Sequence, residues 1–221
     1  ARRVHELCCL MADDLQLPPD QRQLLEFSGW LHDIGLMSVP RRLIKLWQRT
    51  PESLSQAEVK QVQQHPVQGQ ELVRFIHHLS GVATIIRAHH ERYDGTGFPD
   101  QLAGEEIPWL ARLLAVATAY VECNLPELEA REHLEHTSGT WFDPEAVRAL
   151  LRNLRRASRS AREREVLMSE LAPGMVTANG IYTANGLLLI PQGQTLSKPL
   201  LDKIRNHNQG SPIRQTWLVV C

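Results

Sequence analysis

The chain has 221 residues, of which 43% are hydrophobic, and its formal net charge at pH 7 is -1. This length accommodates one large or two small domains, and the composition is ordinary for a globular protein. The low net charge argues against a surface that binds polyanions through bulk charge, so we expect no DNA binding. No apolar run reaches the ~18 residues of a membrane span, and the first residues lack the pattern of a signal peptide, so we predict a cytoplasmic protein.

Helical periodicity of the apolar residues dominates residues 1–156, which we predict to be all-helical. Ser55 followed by Glu58 is a capping box, and proline fits a first helical turn because its missing N–H has no partner there. Predicted helices cover residues 2–15, 22–31 and 82–90, and others begin near Ser55, Pro66, Pro108 and Asp143. Because helical spacing starts at the first residues, we expect that this helical domain is truncated at its N-terminus.

The pattern changes after residue 165, where short β-prone runs replace the helical spacing. Asn179-Gly180 and Asn185-Gly186 are tight-turn signals, and residues 200–204 have the spacing of a short helix. We therefore predict a small α+β module over residues 166–221, with the order strand, strand, helix, strand. Residues 157–165 are rich in arginine and are predicted to form a basic linker.

Four histidines and one aspartate lie in three short motifs of the helical region. His32 and Asp33 occur in LHDIG, His65 in QQHPVQG, and His89 and His90 begin HHERYDGTGFP. Imidazole and carboxylate suit iron, manganese, nickel or zinc, and a carboxylate can bridge two cations. Consecutive helix residues point about 100° apart, so His89 and His90 are expected to contact different ions, or one ion and one substrate. The alternative is that these are core histidines without a ligand.

The order of these motifs resembles the HD-GYP family, a branch of the HD phosphohydrolases, over roughly residues 1–155. The GYP element appears as GFP at residues 97–99, and LAGEEIPWLAR follows at residues 102–112. The resemblance implies an all-helical HD-type bundle that holds one or two divalent ions, iron or manganese. It implies hydrolysis of cyclic di-GMP to pGpG or GMP in bacterial two-component signalling, and a C-terminal module like the one that follows the catalytic domain in some such proteins.

The resemblance also assigns roles by position. The implied metal ligands, with Asp33 as the bridge, are His32, Asp33, His65, His89 and His90. The implied catalytic residues are His32, Asp33 and Asp94. The implied substrate-binding residues are Arg92, Gly97, Phe98, Pro99 and Arg112.

The chain departs from the family pattern at positions that bear on activity. Leu36 stands where the family has a lysine that contacts the site, and Thr118 stands where it has an aspartate ligand. A second aspartate of the same helix is replaced by Val121. The basic loop that binds substrate phosphate in the family is missing, because residues 123–126 lead almost directly into the next helix.

A threonine hydroxyl is a weaker ligand than a carboxylate, so Thr118 should weaken the ion bound through His32 more than the ion bound through the other three histidines. The sequence leaves open whether Glu122 replaces the absent carboxylate. Three functions stay open: a cyclic di-GMP phosphodiesterase of weakened activity, a degenerate binding or interaction module of a signalling protein, and a hydrolase of another phosphoester. The expected partner is a cyclic dinucleotide, with signalling proteins and a homodimer as further alternatives.

Overall fold

The computed structural model describes residues 1–182, 188–210 and 216–220, and these are mainly helical, as the sequence predicts. The chain divides into two compact units, residues 1–153 and residues 154–221. None of the helices in the described segments is both long enough and apolar enough to cross a membrane.

The first unit is built from helices joined by short turns. The helices are α1 (Arg2–Asp14), α2 (Pro19–Leu31), α3 (Arg41–Arg49), α4 (Gln56–Gln63), α5 (His65–Arg74), α6 (Ser80–Arg87), α7 (Trp109–Glu122), α8 (Glu127–Thr137) and the first part of α9 (Pro144–Arg162), which continues into the second unit. The predicted starts of two of them are confirmed by hydrogen bonds. Ser55 and Glu58 form the reciprocal capping box of α4, and an Asp143 oxygen accepts the N–H of Glu145 at 2.6 Å at the start of α9.

Helix α7 is the central helix of the first unit. Its residues 110, 111 and 113–118 are all buried, so it is apolar on nearly every side, which is typical of a helix surrounded by others. Helices α1, α2 and α6 pack against it, and α1 and α2 pack against each other. The buried position of α7 matters for function because Thr118 and Glu122 lie on its last two turns.

Helix α3 was not predicted from the sequence. It is only nine residues long, strongly basic at its start, and only Leu43 on it is fully buried. Leu43 packs with Val39 and Val62 in a small apolar cluster that Leu36 and Trp47 flank. The helix therefore depends on contacts with residues distant in sequence, which periodicity within nine residues does not reveal.

The prediction that a helix continues to His90 was wrong, because α6 ends at Arg87. The chain turns after Ala88 and then folds back, so that the Phe98 N–H donates to the His90 carbonyl at 3.2 Å. The Glu91 carboxylate accepts the backbone N–H groups of Asp100 at 2.7 Å and Leu102 at 3.2 Å. These bonds replace the helical pattern and hold His89 and His90 in a turn.

The second unit is a small α+β structure. Strands β1 (Glu163–Leu167), β5 (Thr216–Val220) and β2 (Val176–Thr177) form an antiparallel sheet in the order β1-β5-β2, and β3 (Ile181–Tyr182) pairs with β4 (Leu188–Ile190). Helix α10 (Lys198–Gly210) contributes Leu201 and Ile204 to the core of this unit.

The predicted order of the second unit has two strands before the helix, whereas four strands of the described residues precede α10. Strand β1 was not predicted, and it begins inside the segment predicted as a linker. Residues 157–165 are the end of α9 and the start of β1. The turn signal Asn179-Gly180 joins strands of two different sheets, and Asn185-Gly186 falls outside the described residues. The domain boundaries at residues 156 and 166 stay predictions.

Candidate metal centre

Three of the predicted histidines are anchored in the same way. His32 caps the end of α2, His65 begins α5, and His89 lies in the turn after α6. In each, ring atom Nδ1 lies within hydrogen-bonding distance of the carbonyl oxygen three residues earlier. These oxygens belong to Gly29 at 3.1 Å, Val62 at 2.8 Å and Ile86 at 2.6 Å.

A carbonyl oxygen only accepts hydrogen bonds, so Nδ1 of each ring must carry the proton and donate it. At His65 and His89 the neutral ring then presents the lone pair of Nε2, which is the form of histidine that binds a metal. Burial lowers the pKa of His65, His89 and His90, and this keeps the three imidazoles neutral.

His65, His89 and His90 form one group of candidate ligands, with ligand atoms that lie within 4.8 Å of one another. The ring centroids of His89 and His90 are 4.0 Å apart, and both residues belong to this group, so one ion could contact both rings. The expectation of different ions, or of one ion and one substrate, assumed a helix, whereas the turn after Arg87 brings the two rings together. Nε2 of His65 and of His89 are buried and have no hydrogen-bond partner among the described residues. Such orphaned atoms are costly, and a cation between them would satisfy both.

A second group of candidate ligands consists of His32, Asp33 and Glu122, whose ligand atoms also lie within 4.8 Å of one another. The Asp33 carboxylate lies between the two groups: one oxygen is 3.1 Å from His32 Nε2, and the other is 3.8 Å from His65 Nε2. Burial tends to raise the pKa of Asp33, but the hydrogen bond from His32 Nε2 outweighs it and lowers the pKa to about 2. The side chain is therefore an anion placed to contact both groups.

Glycine makes this approach of Asp33 to His65 sterically feasible. The short 3-10 helix Ile34–Ser38 packs against α5. A Cβ atom at Gly35 would lie 1.9 Å from the His65 carbonyl oxygen and 2.6 Å from the Gly69 nitrogen. Only a residue without a side chain fits there, so Gly35 in the LHDIG motif has a structural reason.

Thr118 and Glu122 lie in the part of the site where the sequence predicts a missing ligand. Thr118 is 2% exposed, and its hydroxyl has no hydrogen-bond partner in the part of the chain that the structure describes. Part of Glu122 faces solvent, yet the protein around its carboxyl group displaces enough water to raise its pKa. The charge of Asp33 raises the pKa further, His32 opposes the increase, and the result is about 7.

The loop after the histidines covers the site with an aromatic ring. The Phe98 ring stacks on His90 with centroids 4.8 Å apart, and Pro99 follows through a cis peptide bond. A Cβ atom at Gly97 would lie 2.2 Å from the Arg92 nitrogen, so the close fold of this loop requires glycine at that position. The Arg92 guanidinium carbon lies 4.0 Å from the centroid of the Trp141 ring.

Two cavities border the ligand groups. One of about 450 Å³ is lined by residues that include Asp33, Leu36, Trp47, His65 and Glu122. The other, of about 750 Å³, is lined by residues that include His89, Arg92, Phe98, Thr118 and Trp141. His90, Glu122 and Trp47 line both. Trp47 and Trp141 were not among the predicted site residues, because no motif marks them.

Two predicted site residues have other partners and line neither of these two cavities. The Asp94 carboxylate accepts the Thr96 N–H at 2.9 Å and the Thr96 hydroxyl at 2.6 Å, which closes a turn. The Arg112 guanidinium pairs with Asp143 at the start of α9. The structure brings together the five predicted metal ligands, with Arg92 and Phe98 nearby, and leaves Asp94 and Arg112 with these structural contacts.

Comparisons with known proteins agree with this arrangement. The HD domain family model matches residues 1–146. A cyclic di-GMP phosphodiesterase response regulator, RpfG of Xanthomonas campestris pv. campestris, is 35% identical over 163 residues, which cover 68% of this chain and 41% of that protein. The 3'3'-cGAMP-specific phosphodiesterase 1 of Vibrio cholerae is 29% identical over 120 residues, which cover 54% of this chain and 27% of that protein.

Among solved structures, Bd1817 of Bdellovibrio bacteriovorus, described as an HDG"Y"P protein, matches with a TM-score of 0.59 and 26% identity. The match covers 69% of this chain and 50% of that one. The chain thus spans less than half the length of the two curated relatives named above.

Proposed function

The chain belongs to the HD domain family and to its HD-GYP branch, and from this premise we propose that it is a metal-dependent phosphodiesterase that hydrolyses cyclic di-GMP to pGpG or GMP. One observation carries the proposal: the Asp33 carboxylate lies between two groups of metal-ligand atoms, one of which includes two buried imidazole nitrogens without partners. The nitrogen and carboxylate donors suit iron or manganese, with one ion per group.

His65, His89 and His90 would hold one cation, and His32 and Asp33 would hold the other, with Asp33 shared. Bound cations would supply Lewis-acid activation of water and would offset charge on the phosphoryl oxygens. The hydrogen bonds of Nδ1 to backbone carbonyls fix the ring orientations in advance, so binding costs little reorganisation.

The substrate would occupy the larger cavity beside these ligands. Its volume of about 750 Å³ is within the usual range of small-molecule sites. Phe98 and Trp141 offer aromatic surfaces on which a purine could stack, and the Arg92 guanidinium offers positive charge to a phosphate. Gly97 and Pro99 would shape the loop that presents Phe98, whereas Asp94 and Arg112 would act through the turn and the ion pair that they make.

A second candidate function is a degenerate module that binds a cyclic dinucleotide or a signalling partner without hydrolysing it. It is favoured by Thr118, a neutral side chain at the position of a family ligand, and by Leu36 in place of a lysine. Under both candidate functions we propose a cytoplasmic role in bacterial two-component signalling. A relative named as a response regulator supports that setting.

Incubation of the metal-loaded chain with cyclic di-GMP distinguishes the two functions. We expect pGpG or GMP to accumulate with manganese or iron and to be absent with chelator, as measured by chromatography. The comparison substrate is 3'3'-cGAMP, because three relatives are named as 3'3'-cGAMP-specific phosphodiesterases. Faster hydrolysis of 3'3'-cGAMP than of cyclic di-GMP would redirect the proposal to that dinucleotide. Saturable binding of cyclic di-GMP with no product from the metal-loaded chain would establish the binding module instead.

A further inference from the structure

We propose that Glu122 is a metal ligand that completes the His32–Asp33 group and so replaces the carboxylate absent at Thr118. The proposal rests on the proposed function only in assuming that the chain binds divalent cations. The ligand class is a manganese or ferrous ion held by one imidazole and two carboxylates, a mixture of donors that both metals accept.

The geometry of α7 places Glu122 to do this. Thr118 and Glu122 are four residues apart, so they lie on the same face of the helix, one turn from each other. The longer glutamate side chain brings a carboxylate oxygen within 4.8 Å of the ligand atoms of both His32 and Asp33. Both residues also line the larger cavity, next to His89.

Glu122 is exposed, but its position on the helix and its nearest partner both disfavour its negative charge. It is the last residue of α7, where the negative end of the helix dipole disfavours negative charge. Its nearest charged neighbour in the group is another carboxylate, Asp33. In the described segments no lysine or arginine side chain forms an ion pair with Glu122. A divalent cation between the two carboxylates would reverse this repulsion.

Charge balance across the two groups supports the same conclusion. His32, His65, His89 and His90 are neutral ligands, so without Glu122 a single anion, Asp33, would face two divalent cations. The buried Thr118 hydroxyl, which has no hydrogen-bond partner among the described residues, supplies no charge. Glu122 supplies the second anion from one turn further along the helix.

The test counts metal ions. The full chain is stripped with chelator, reloaded with Mn²⁺, desalted and analysed by mass spectrometry for manganese per chain, with titrations to give the Kd of each ion. We expect two ions in the wild type and one in Glu122→Gln, with affinity for the lost ion at least ~100-fold weaker, because removing even an indirect partner of a ligand costs roughly 10–100-fold. The matched control is Glu129→Gln on the exposed surface of α8, which should keep two ions.

The decisive variant is the double substitution Thr118→Asp with Glu122→Gln. It places a carboxylate at position 118, on the same face of α7 as Glu122. We expect this variant to bind the second ion again. Two ions in Glu122→Gln with unchanged Kd values would overturn the proposal, even if activity were lost, and so would one ion in the wild type. Two ions in the wild type with no hydrolysis of cyclic dinucleotides would leave Glu122 as a ligand and overturn the proposed function instead.

Discussion

Replacement of Asp33 by asparagine should remove both metal ions at once. Asparagine keeps the size of the side chain but loses the negative charge that lies 3.1 Å from His32 Nε2 and 3.8 Å from His65 Nε2. Every other candidate ligand belongs to one group, whereas Asp33 faces both. In this variant each of the two ions should therefore stabilise the folded state less than it does in the wild type.

The size of the effect follows from binding linkage. At a free metal concentration 100 times the Kd, one ion stabilises the folded state by about 2.7 kcal/mol, and two independent ions by about 5.4 kcal/mol. For a chain of this length, 1 kcal/mol shifts the Tm by roughly 2–4 °C, so two ions should raise it by about 10–20 °C. A ~100-fold loss of affinity leaves about 0.4 kcal/mol per ion at the same concentration, which is a shift of only about 1–3 °C in total.

Calorimetry of the wild type and of Asp33→Asn, each with excess Mn²⁺ and with chelator, measures these shifts. The control is Asp20→Asn, an exposed position on α2 that should keep the full metal-dependent increase. A variant at Asp33 that gains as much as the wild type would refute the role of this carboxylate between the groups. Loss of only half of the increase would show that Asp33 serves one ion.

Three other substitutions distinguish residues of the candidate site from a residue that only stabilises the fold. Gly97→Ala places a methyl group 2.2 Å from the Arg92 nitrogen, so we expect a loss of about 1–3 kcal/mol in unfolding free energy and a strong loss of hydrolysis, measured by denaturation and product release. Phe98→Ala removes the ring stacked on His90, and its KM for cyclic di-GMP should rise while the ion count stays unchanged. An unchanged KM would exclude contact with substrate. Ser55→Ala removes the cap at the end of α4 that is distant from His65, and it should cost about 1 kcal/mol of stability with normal metal binding.

The sequence was a good guide wherever a feature depends on neighbouring residues. The capping box at Ser55 and the Asp143 cap are local signals, and the structure confirms the helices that they begin. The end of α6 is different, because the turn at His89 and His90 is held by bonds to a loop that returns at Phe98 and Asp100. Residue spacing within one helix carries no information about such a return.

The candidate site likewise contains residues that sequence motifs mark and residues whose position depends on the packing of distant elements. Motifs marked His32, Asp33, His65, His89 and His90, and the structure brings them into two neighbouring groups. The position of Glu122 needed the packing of α7 against α2, although its spacing of four residues from Thr118 was a usable signal. Trp141 lies in no motif and reaches the cavity through the loop before α9, so no sequence signal selects it.

X-ray diffraction from crystals of the Mn²⁺-loaded chain, with anomalous differences recorded above the manganese edge, tests the central claim most directly. Two anomalous peaks are predicted, one among Nε2 atoms of His65, His89 and His90 and one at His32, with an Asp33 oxygen contacting each. A map without peaks at these five side chains, or with manganese bound only elsewhere on the molecule, would contradict the account.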